Sequence, residues 1–475
     1  MKPIDRALCI DLDGTLLRSD LLYESVLALL ASSPLCIFLL PFWLLRGKAA
    51  LKREIASRVT LPVEWLPYDA RVLGMLRTTR QRPRVLCSAS DQALVEAIAL
   101  HLGVFEEVMA SDGRCNLAGP HKAEALKARF GAGQYDYMGN ANVDLHVWKH
   151  SAAAYVVNAG NRLATAAARV TTVHAHWPSE GGGVRSWIKA LRVYQWSKNL
   201  LVLVPLLTAH RWFDPVSLFG AAMAFIAFGL CASGVYLLND LLDLTPDRQH
   251  ARKRRRPFAA GDLPLMQGLL VAPLLTLAGF TLALLSSPAF TGVLFAYYAM
   301  TLMYSLVLKR IVMIDVVMLA ALYTLRIIGG AIAIGVDLSF WLLAFSLFMF
   351  LSLALVKRYT ELAAMSGSGR QKIAGRGYDV SDLSLIQSLG AAAGYVSILV
   401  FALYINSPDS LELYRNPRLL WLLCPVLLFW IGRIWIIAHR GGMHDDPIVF
   451  AARDQVSWGV ALVSICIIGG ATLSW

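Results

Sequence analysis

The chain has 475 residues, 57% hydrophobic and only 16% charged, and its 44 Lys and Arg outnumber 32 Asp and Glu to give a net charge of +12. With a mean hydropathy of +0.55, that composition excludes a wholly water-soluble enzyme of ordinary make-up. The basic excess fits cytoplasmic loops and attraction to anionic lipid, with no nucleic-acid partner, and seven cysteines without a CxxC pair point to neither a disulfide framework nor a zinc site. Up to about Arg185 the chain mixes charge, glycine and short apolar runs as a globular domain does; beyond it, apolar runs dominate. The predicted organisation is an α/β domain over 1–178, a linker over 179–190 suggested by HWPSEGGGVRSW, and an all-α membrane bundle over 191–475. The opening MKPIDRALCIDLDGT lacks the apolar core of a cleavable signal peptide.

In CIDLDGTLLRSD an apolar strand ends at Asp11, and Asp13 follows two residues later with Gly14 and Thr15, so both carboxylates can point to one end of the strand. Residues 25–45 are apolar but interrupted by Pro34 and Pro41 and followed by Lys48, Lys52 and Arg53. A span there would strand the later segments across a membrane from Asp11, so the expectation is a cap helix pair lying in the interface or against the membrane part, with a buried cap core as the competing reading. VLCSAS presents Ser88 at a strand end, GPHKAEAL presents Lys122, and YDYMGNANVDLHVW presents Asn140 and Asp144. Alternating strands and helices predict a parallel sheet with its site at the strand C-termini. These four segments, in this order, resemble the motifs of the haloacid dehalogenase superfamily, DxDGTL being the strongest. That resemblance implies a Rossmann-like fold with a helical cap, Asp11 as phosphoryl-accepting nucleophile, Asp13 as acid/base, Ser88 and Lys122 on the phosphate, and Mg2+ held by Asp11, Asp13 and Asp144. Asn140 stands where the superfamily usually has an aspartate, which implies weaker metal binding.

Beyond the linker, about nine apolar segments are long enough to cross ~30 Å of hydrocarbon, with cores near 197–213, 216–238, 263–286, 290–308, 312–335, 340–356, 383–406, 417–438 and 456–474. The loops after the second, fourth, sixth and eighth carry Arg248 to Arg256, Lys309 and Arg310, Lys357 to Arg376, and Arg440 to Arg453, whereas SSPAF and GVDLS carry almost no bases. Because Lys and Arg are retained on the cytoplasmic side, the expectation is a multi-pass protein of the inner (plasma) membrane with its N-terminal domain in the cytoplasm.

The second of these segments runs directly into NDLLDLTPDRQHARKRRRP. If the helix continues into it, Asp240, Asp243 and Asp247 share one face beside Asn239, with Pro246 kinking or ending the helix just before Asp247. Carboxylates so placed repel one another unless a cation sits among them, and Mg2+, which takes a few carboxylates plus water and phosphate oxygens, is the natural candidate. Arg248, Lys253, Arg256 and their basic neighbours then offer charge to polyphosphate oxygens. The competing reading is that acids cap a span and bases obey the positive-inside rule. Asp315 and Arg326 lie eleven residues apart on one predicted face of a span, where Arg326 either grips a phosphate or pairs with Asp315 or a carbonyl. Lys357 and Glu361, four apart, either pair with each other or serve a substrate.

Here the chain resembles the UbiA superfamily of membrane prenyltransferases, whose first aspartate-rich motif reads NDxxDxxxD. The longer string through Arg248, His250, Lys253, Arg256, Pro257 and Gly261 is most similar to its decaprenyl-phosphate phosphoribosyltransferase branch. Further matches are RVYQWSKN with Lys198, YSLVLKRIVMIDV with Tyr304 and Lys309, YTLRIIGG with Arg326, and VKRYTEL with Lys357 and Arg358. The resemblance implies these as substrate-binding residues, Asp240, Asp243 and Asp247 as catalytic metal ligands, and transfer of phosphoribose from phosphoribosyl pyrophosphate to a polyprenyl phosphate. The region after Lys309 offers Asp315 with no second aspartate within a helical turn, unlike aromatic prenyltransferases of the superfamily. Consecutive chemistry is then expected, with the N-terminal domain removing the 5-phosphate; a degenerate domain kept for stability or regulation is the competing reading. An aromatic or quinone prenyltransferase is the alternative enzyme, and a transporter or scaffold the alternative non-enzyme. A homo-oligomer is compatible with the sequence, which fixes neither subunit number nor isoprenoid length.

Overall fold

The computed structural model describes residues 6–79, 81–366, 377–443 and 446–472. Of the residues expected in the basic loops, Arg370, Lys372 and Arg376 lie outside the described ones. By contact density the chain forms two compact units: Met1–Leu191 with Tyr236–Pro273, and Arg192–Val235 with Leu274–Trp475.

The first unit is built on a six-stranded parallel sheet in the order β3-β2-β1-β4-β5-β6, made of β1 (Ala7–Asp11), β2 (Arg84–Asp91), β3 (Glu107–Ser111), β4 (Tyr135–Gly139), β5 (Ala153–Val157) and β6 (Thr172–Trp177). This is the expected α/β fold. Both β1 and β4 are buried along their whole length, as central strands covered on two faces must be. Side chains alternate between two cores: Ala7, Cys9, Val85, Tyr135, Tyr137 and Trp148 on one face, and Leu8, Ile10, Leu86 and Met138 on the other. Strand order reverses at β1, whose neighbours β2 and β4 lead to opposite edges, so a crevice opens beyond the carboxyl end of β1, where Asp11 sits.

Between β1 and β2 lie α1 (Leu21–Ser32), capped by the Asp20 carboxylate on the N–H of Leu22 and Tyr23, and α2 (Lys48–Ala56). The apolar stretch joining them is no span; it forms a 3-10 turn at Pro34–Phe38 and a short helix at Leu40–Leu45. Trp43 packs with Leu29 and Ile55 in a small cap core, while Leu35, Phe38, Phe42 and Leu45 are 64% to 86% exposed, as an interfacial segment requires. The helices α3 (Gln92–Leu102) and α4 (Pro120–Phe130) follow β2 and β3.

Eight helices among the described residues are long and apolar enough to cross a membrane: α5 (Pro215–Leu242), α6 (Leu265–Ser286), α7 (Pro288–Leu306), α8 (Ile314–Ile334), α9 (Phe340–Ser366), α10 (Val380–Ile405), α11 (Pro417–His439) and α12 (Gln455–Thr472). The chain is accordingly a multi-pass membrane protein. The expected span at 197–213 is instead a 3-10 segment, Val193–Leu203, followed by the short helix Val204–Thr208. Pro205 at the start of that helix has no N–H to continue an α-helical ladder, and Lys198 and Asn199 are buried within the preceding segment, where they would have no lipid-compatible face. In the second unit this segment lies tight against α8: a Cβ on Gly330 would come within 2.1 Å of the Val202 carbonyl oxygen. Small residues at such a crossing let two backbones meet.

Candidate functional sites

Asp11 ends β1, and its Oδ1 accepts a 2.6 Å bond from Nζ of Lys122 on α4. Lys122 also donates to the Tyr137 hydroxyl, which donates to Asp144 Oδ1 at 3.2 Å. Asp13 Oδ2 accepts from Ser88 and Ser90, and its Oδ1 from the Leu21 N–H at 2.7 Å. The four segments singled out in the sequence therefore converge at one strand-end crevice. Burial raises the Asp11 pKa against the pull of Lys122, with Asp144 and Asp13 adding to the rise, to about 7. A hard cation would favour the ionised carboxylate, and the oxygen donors Asp11, Asp13 and Asn140 suit Mg2+. Asp144 is placed differently from the expectation of a ligand: its Oδ2 accepts the N–H of Asn140 and Ala141, each at 2.9 Å, so it braces the loop that carries Asn140.

The acidic motif of the same unit also departs from the expected geometry. Helix α5 ends at Leu242, and Asp243 stands at the N-terminus of a short helix, Leu244–Gln249. The break falls before Pro246 rather than at it, because a proline in the first helical turn removes no hydrogen bond. The three aspartates thus do not share one continuous helix face. Asp240 and Asp247, each 2% exposed, are gathered by Arg256, whose Nη1 lies 3.0 Å from Asp240 and 2.6 Å from Asp247. Burial raises the Asp247 pKa; Arg256 opposes the rise and Asp240 adds to it. The two buried carboxylates share one guanidinium, with Lys253 adding its field at Asp247, an oxygen-rich set that suits a hard cation. Among the described residues no three acidic, His or Cys side chains stand close enough to hold a metal by themselves, so a donor's own oxygens would complete the shell, as Mg2+ prefers. Arg248 is committed elsewhere: its guanidinium forms a fork with Glu24 of α1 at 2.6 and 2.9 Å and donates to the Ala259 carbonyl. Lys253 is exposed on the loop, and Asn239 is half-buried at the end of α5.

In the second unit, the basic residues form a different cluster. Lys198 and Lys357 both reach Asp446 Oδ2, at 2.9 and 3.0 Å, and Tyr323 donates to the same carboxylate. Arg326, 5% exposed, donates to Asn199 Oδ1, the Leu322 carbonyl and the Tyr297 hydroxyl, and meets no carboxylate among the described residues. Lys198 and Arg326 each lie 5.7 Å from the centroid of the Tyr323 ring. Two lysines thus share one carboxylate, Lys198 buried and Lys357 part-exposed, and the buried Arg326 stands across the Tyr323 ring, a basic set that suits an anion. Burial raises the Asp446 pKa, but Lys357 and Lys198 outweigh it and hold the carboxyl far below the ordinary range. The reading of Arg326 as a partner of Asp315 does not hold: Asp315 pairs at 2.7 Å with the fully buried Arg358, a charge contact rather than an aligned hydrogen bond, and accepts from Tyr378. Arg358 also meets Glu361, so the pair Lys357–Glu361 is replaced by Lys357–Asp446. Tyr304 lies in the field of Lys357 and Arg358, and Lys309 is half-buried in the turn after α7. Sequence reasoning missed Asp446. Its signal was the pair Asp445–Asp446 before Pro447, set in a loop read only for its bases.

Residues 200–452 match the UbiA prenyltransferase family. The uncharacterized protein y4nM of Sinorhizobium fredii is 37% identical over 456 residues, covering 94% of this chain and 87% of its own. The decaprenyl-phosphate phosphoribosyltransferase of Mycobacterium tuberculosis is 32% identical over 291 residues, covering 60% of this chain and 93% of its own. A solved UbiA homolog from Archaeoglobus fulgidus, bound to GPP and Mg2+, is 13% identical with a TM-score of 0.47, covering 60% of this chain and 99% of its own. With the aspartate-rich motif in place and the family match extending over more than half of its length, the chain belongs to the UbiA prenyltransferase family.

Proposed function

We propose that the chain transfers 5-phosphoribose from phosphoribosyl pyrophosphate to a polyprenyl phosphate, and that its N-terminal unit removes the 5-phosphate from the product. The observation that carries the reading is the pair of lysines, Lys198 and Lys357, sharing Asp446, with Arg326 beside them, which suits a substrate rich in phosphate oxygens. Similarity to a decaprenyl-phosphate phosphoribosyltransferase supports it. Asp240, Asp243 and Asp247 would hold Mg2+, which when bound neutralises charge on pyrophosphate. Asn239, Arg256 and Lys253 serve the donor's polyphosphate on the same segment. Lys198, Arg326 and Lys357 take phosphate oxygens, Tyr304 and Lys309 serve the same substrate, and Arg358 holds Asp315 in place. A lipid phosphate oxygen forms the bond to the anomeric carbon as the bond to pyrophosphate breaks and its electron pair leaves with that group. The attacking oxygen is already anionic at neutral pH, so no general base is needed; alignment and exclusion of water do the rest.

In the N-terminal unit Asp11 attacks the 5-phosphate, the ester P–O bond breaks, and the sugar oxygen takes its proton from Asp13; water then hydrolyses the phosphoaspartate. Lys122, Ser88 and Ser90 hold these two carboxylates in register. The basic loops support placing this unit in the cytoplasm beneath an inner membrane.

A second reading, prenyl transfer from a polyprenyl diphosphate to an aromatic acceptor, is favoured by Asp446, a carboxylate in the place where a second acidic element had not been expected. Incubating membranes with labelled phosphoribosyl pyrophosphate and polyprenyl phosphate, or with a labelled prenyl diphosphate and an aromatic acceptor, separates the two. Lipid-linked sugar in the first arm alone is the expected result, and product only in the second arm would replace the proposal.

A further inference from the structure

The crevice at Asp11 opens into a cavity of about 580 Å3, drug-sized rather than phosphate-sized. Beyond the acidic floor its wall is partly apolar, with Leu22, Tyr23, Leu265 and Met266. The last two belong to the segment that continues from the aspartate-rich motif, and that segment is fixed in place by close backbone approach. A Cβ on Gly261, whose φ is +72°, would lie 2.8 Å from the Arg18 carbonyl oxygen, and one on Gly181 would lie 2.7 Å from Asp262 Cα. Arg18, also on the wall, is paired with Asp262 at 3.1 Å.

Lys52 differs. It projects from α2 into the same cavity, and its Nζ donates to the Ala89 carbonyl and, at 3.0 Å, to Asn116 Oδ1. Among the described residues no carboxylate lies within ion-pair distance of it. Burial lowers its pKa, with Asp13 and Asp20 opposing and Lys122 and Lys48 adding to the fall. An anion beside this ammonium would therefore be stabilising.

A phosphoribosyl lipid carries two phosphorus groups: a terminal monoester, which suits Asp11 and Lys122, and a diester joining sugar to isoprenoid. The diester charge needs its own cation when the molecule enters a partly apolar pocket. We infer that Lys52 binds this diester, so that the pocket selects lipid-linked sugar phosphates over free ones, with the first isoprenoid units along Leu22, Tyr23, Leu265 and Met266. The inference rests on the phosphatase half of the proposed function.

The test uses the full chain in detergent with Mg2+ and two substrates, farnesyl-phosphoribose 5-phosphate and free ribose 5-phosphate. Lys52→Gln should raise KM for the lipid-linked ester by about tenfold or more, with kcat within about twofold and a much smaller change for ribose 5-phosphate; Lys52→Arg should restore the lower KM. Equal losses on both substrates, or a fall in kcat alone, would overturn the assignment, and an unchanged melting temperature for Lys52→Gln excludes misfolding as the cause. If the intact chain hydrolyses neither substrate, and Asp11→Asn behaves as it does, the phosphatase reading itself falls; if hydrolysis depends on Asp11 but ignores Lys52, only the selectivity role does.

Discussion

The acidic motif and the lysine cluster are built as opposites. Around Arg256, two buried carboxylates share one guanidinium; around Asp446, two lysines share one carboxylate. At Arg358, fully buried like its partner Asp315, the cation meets both Asp315 and Glu361. The proposed function uses the difference in sign between the two clusters: an acidic set suits a cation, a basic one an anion.

The strongest way to break this contrast is to neutralise the acidic side. Asp240→Asn or Asp247→Asn should lower transfer on the order of 100-fold or more with the protein still inserted in membranes. Full turnover by either variant, measured with labelled donor, would remove the metal assignment.

Neutralising the opposite cluster should act first on stability. Asp446→Asn leaves the buried Lys198 and the part-exposed Lys357 without their shared carboxylate and should cost about 3–5 kcal/mol, read as a lower apparent melting temperature in detergent. Added pyrophosphate should recover part of it. Because the folded pKa of Asp446 is depressed, its stabilisation is present above the unfolded value of about 3.9 and is lost only as pH falls through the lower folded value. Burial lowers the pKa of its partner Lys198 to about 8, so the gap between wild type and variant should shrink as pH rises through about 8 and should not collapse between about pH 7 and about pH 5. A gap that closes within that window would contradict the ion-pair account.

Arg326→Gln sharpens the comparison further: KM for a phosphate-bearing substrate should rise by about tenfold, while Arg326→Gln combined with Asp446→Asn should not be additive if both act on one cluster. The smallest effect belongs to Lys253, exposed on its loop. Lys253→Ala should change KM by less than about threefold at low salt and by nothing measurable at high salt.

Much of this was legible in the sequence because local rules placed it. Asp11 closes β1, Ser88 lies in the second half of β2 and Asn140 follows β4, so a parallel sheet brings them toward one edge whatever the loops do. The aspartate-rich string was likewise readable, since its residues are close neighbours. What escaped was long-range or context-bound. Nothing in the spacing of residues 224 positions apart announces that Arg248 closes on Glu24. Asp446 was hidden by a loop whose bases already had an explanation, and the span at 197–213 was overcounted because hydropathy does not see that Lys198 and Asn199 need protein neighbours.

The fork between Arg248 and Glu24 bears on how the chain could be taken apart. Arg248 lies inside the family-matched stretch, yet its partner belongs to α1, between the first two strands of the parallel sheet. A polypeptide divided at 179–190 would leave a naked guanidinium on one fragment and a naked carboxylate on the other, both in dry surroundings. The halves should express poorly alone and better as a co-produced pair, so the continuous chain is a stability requirement.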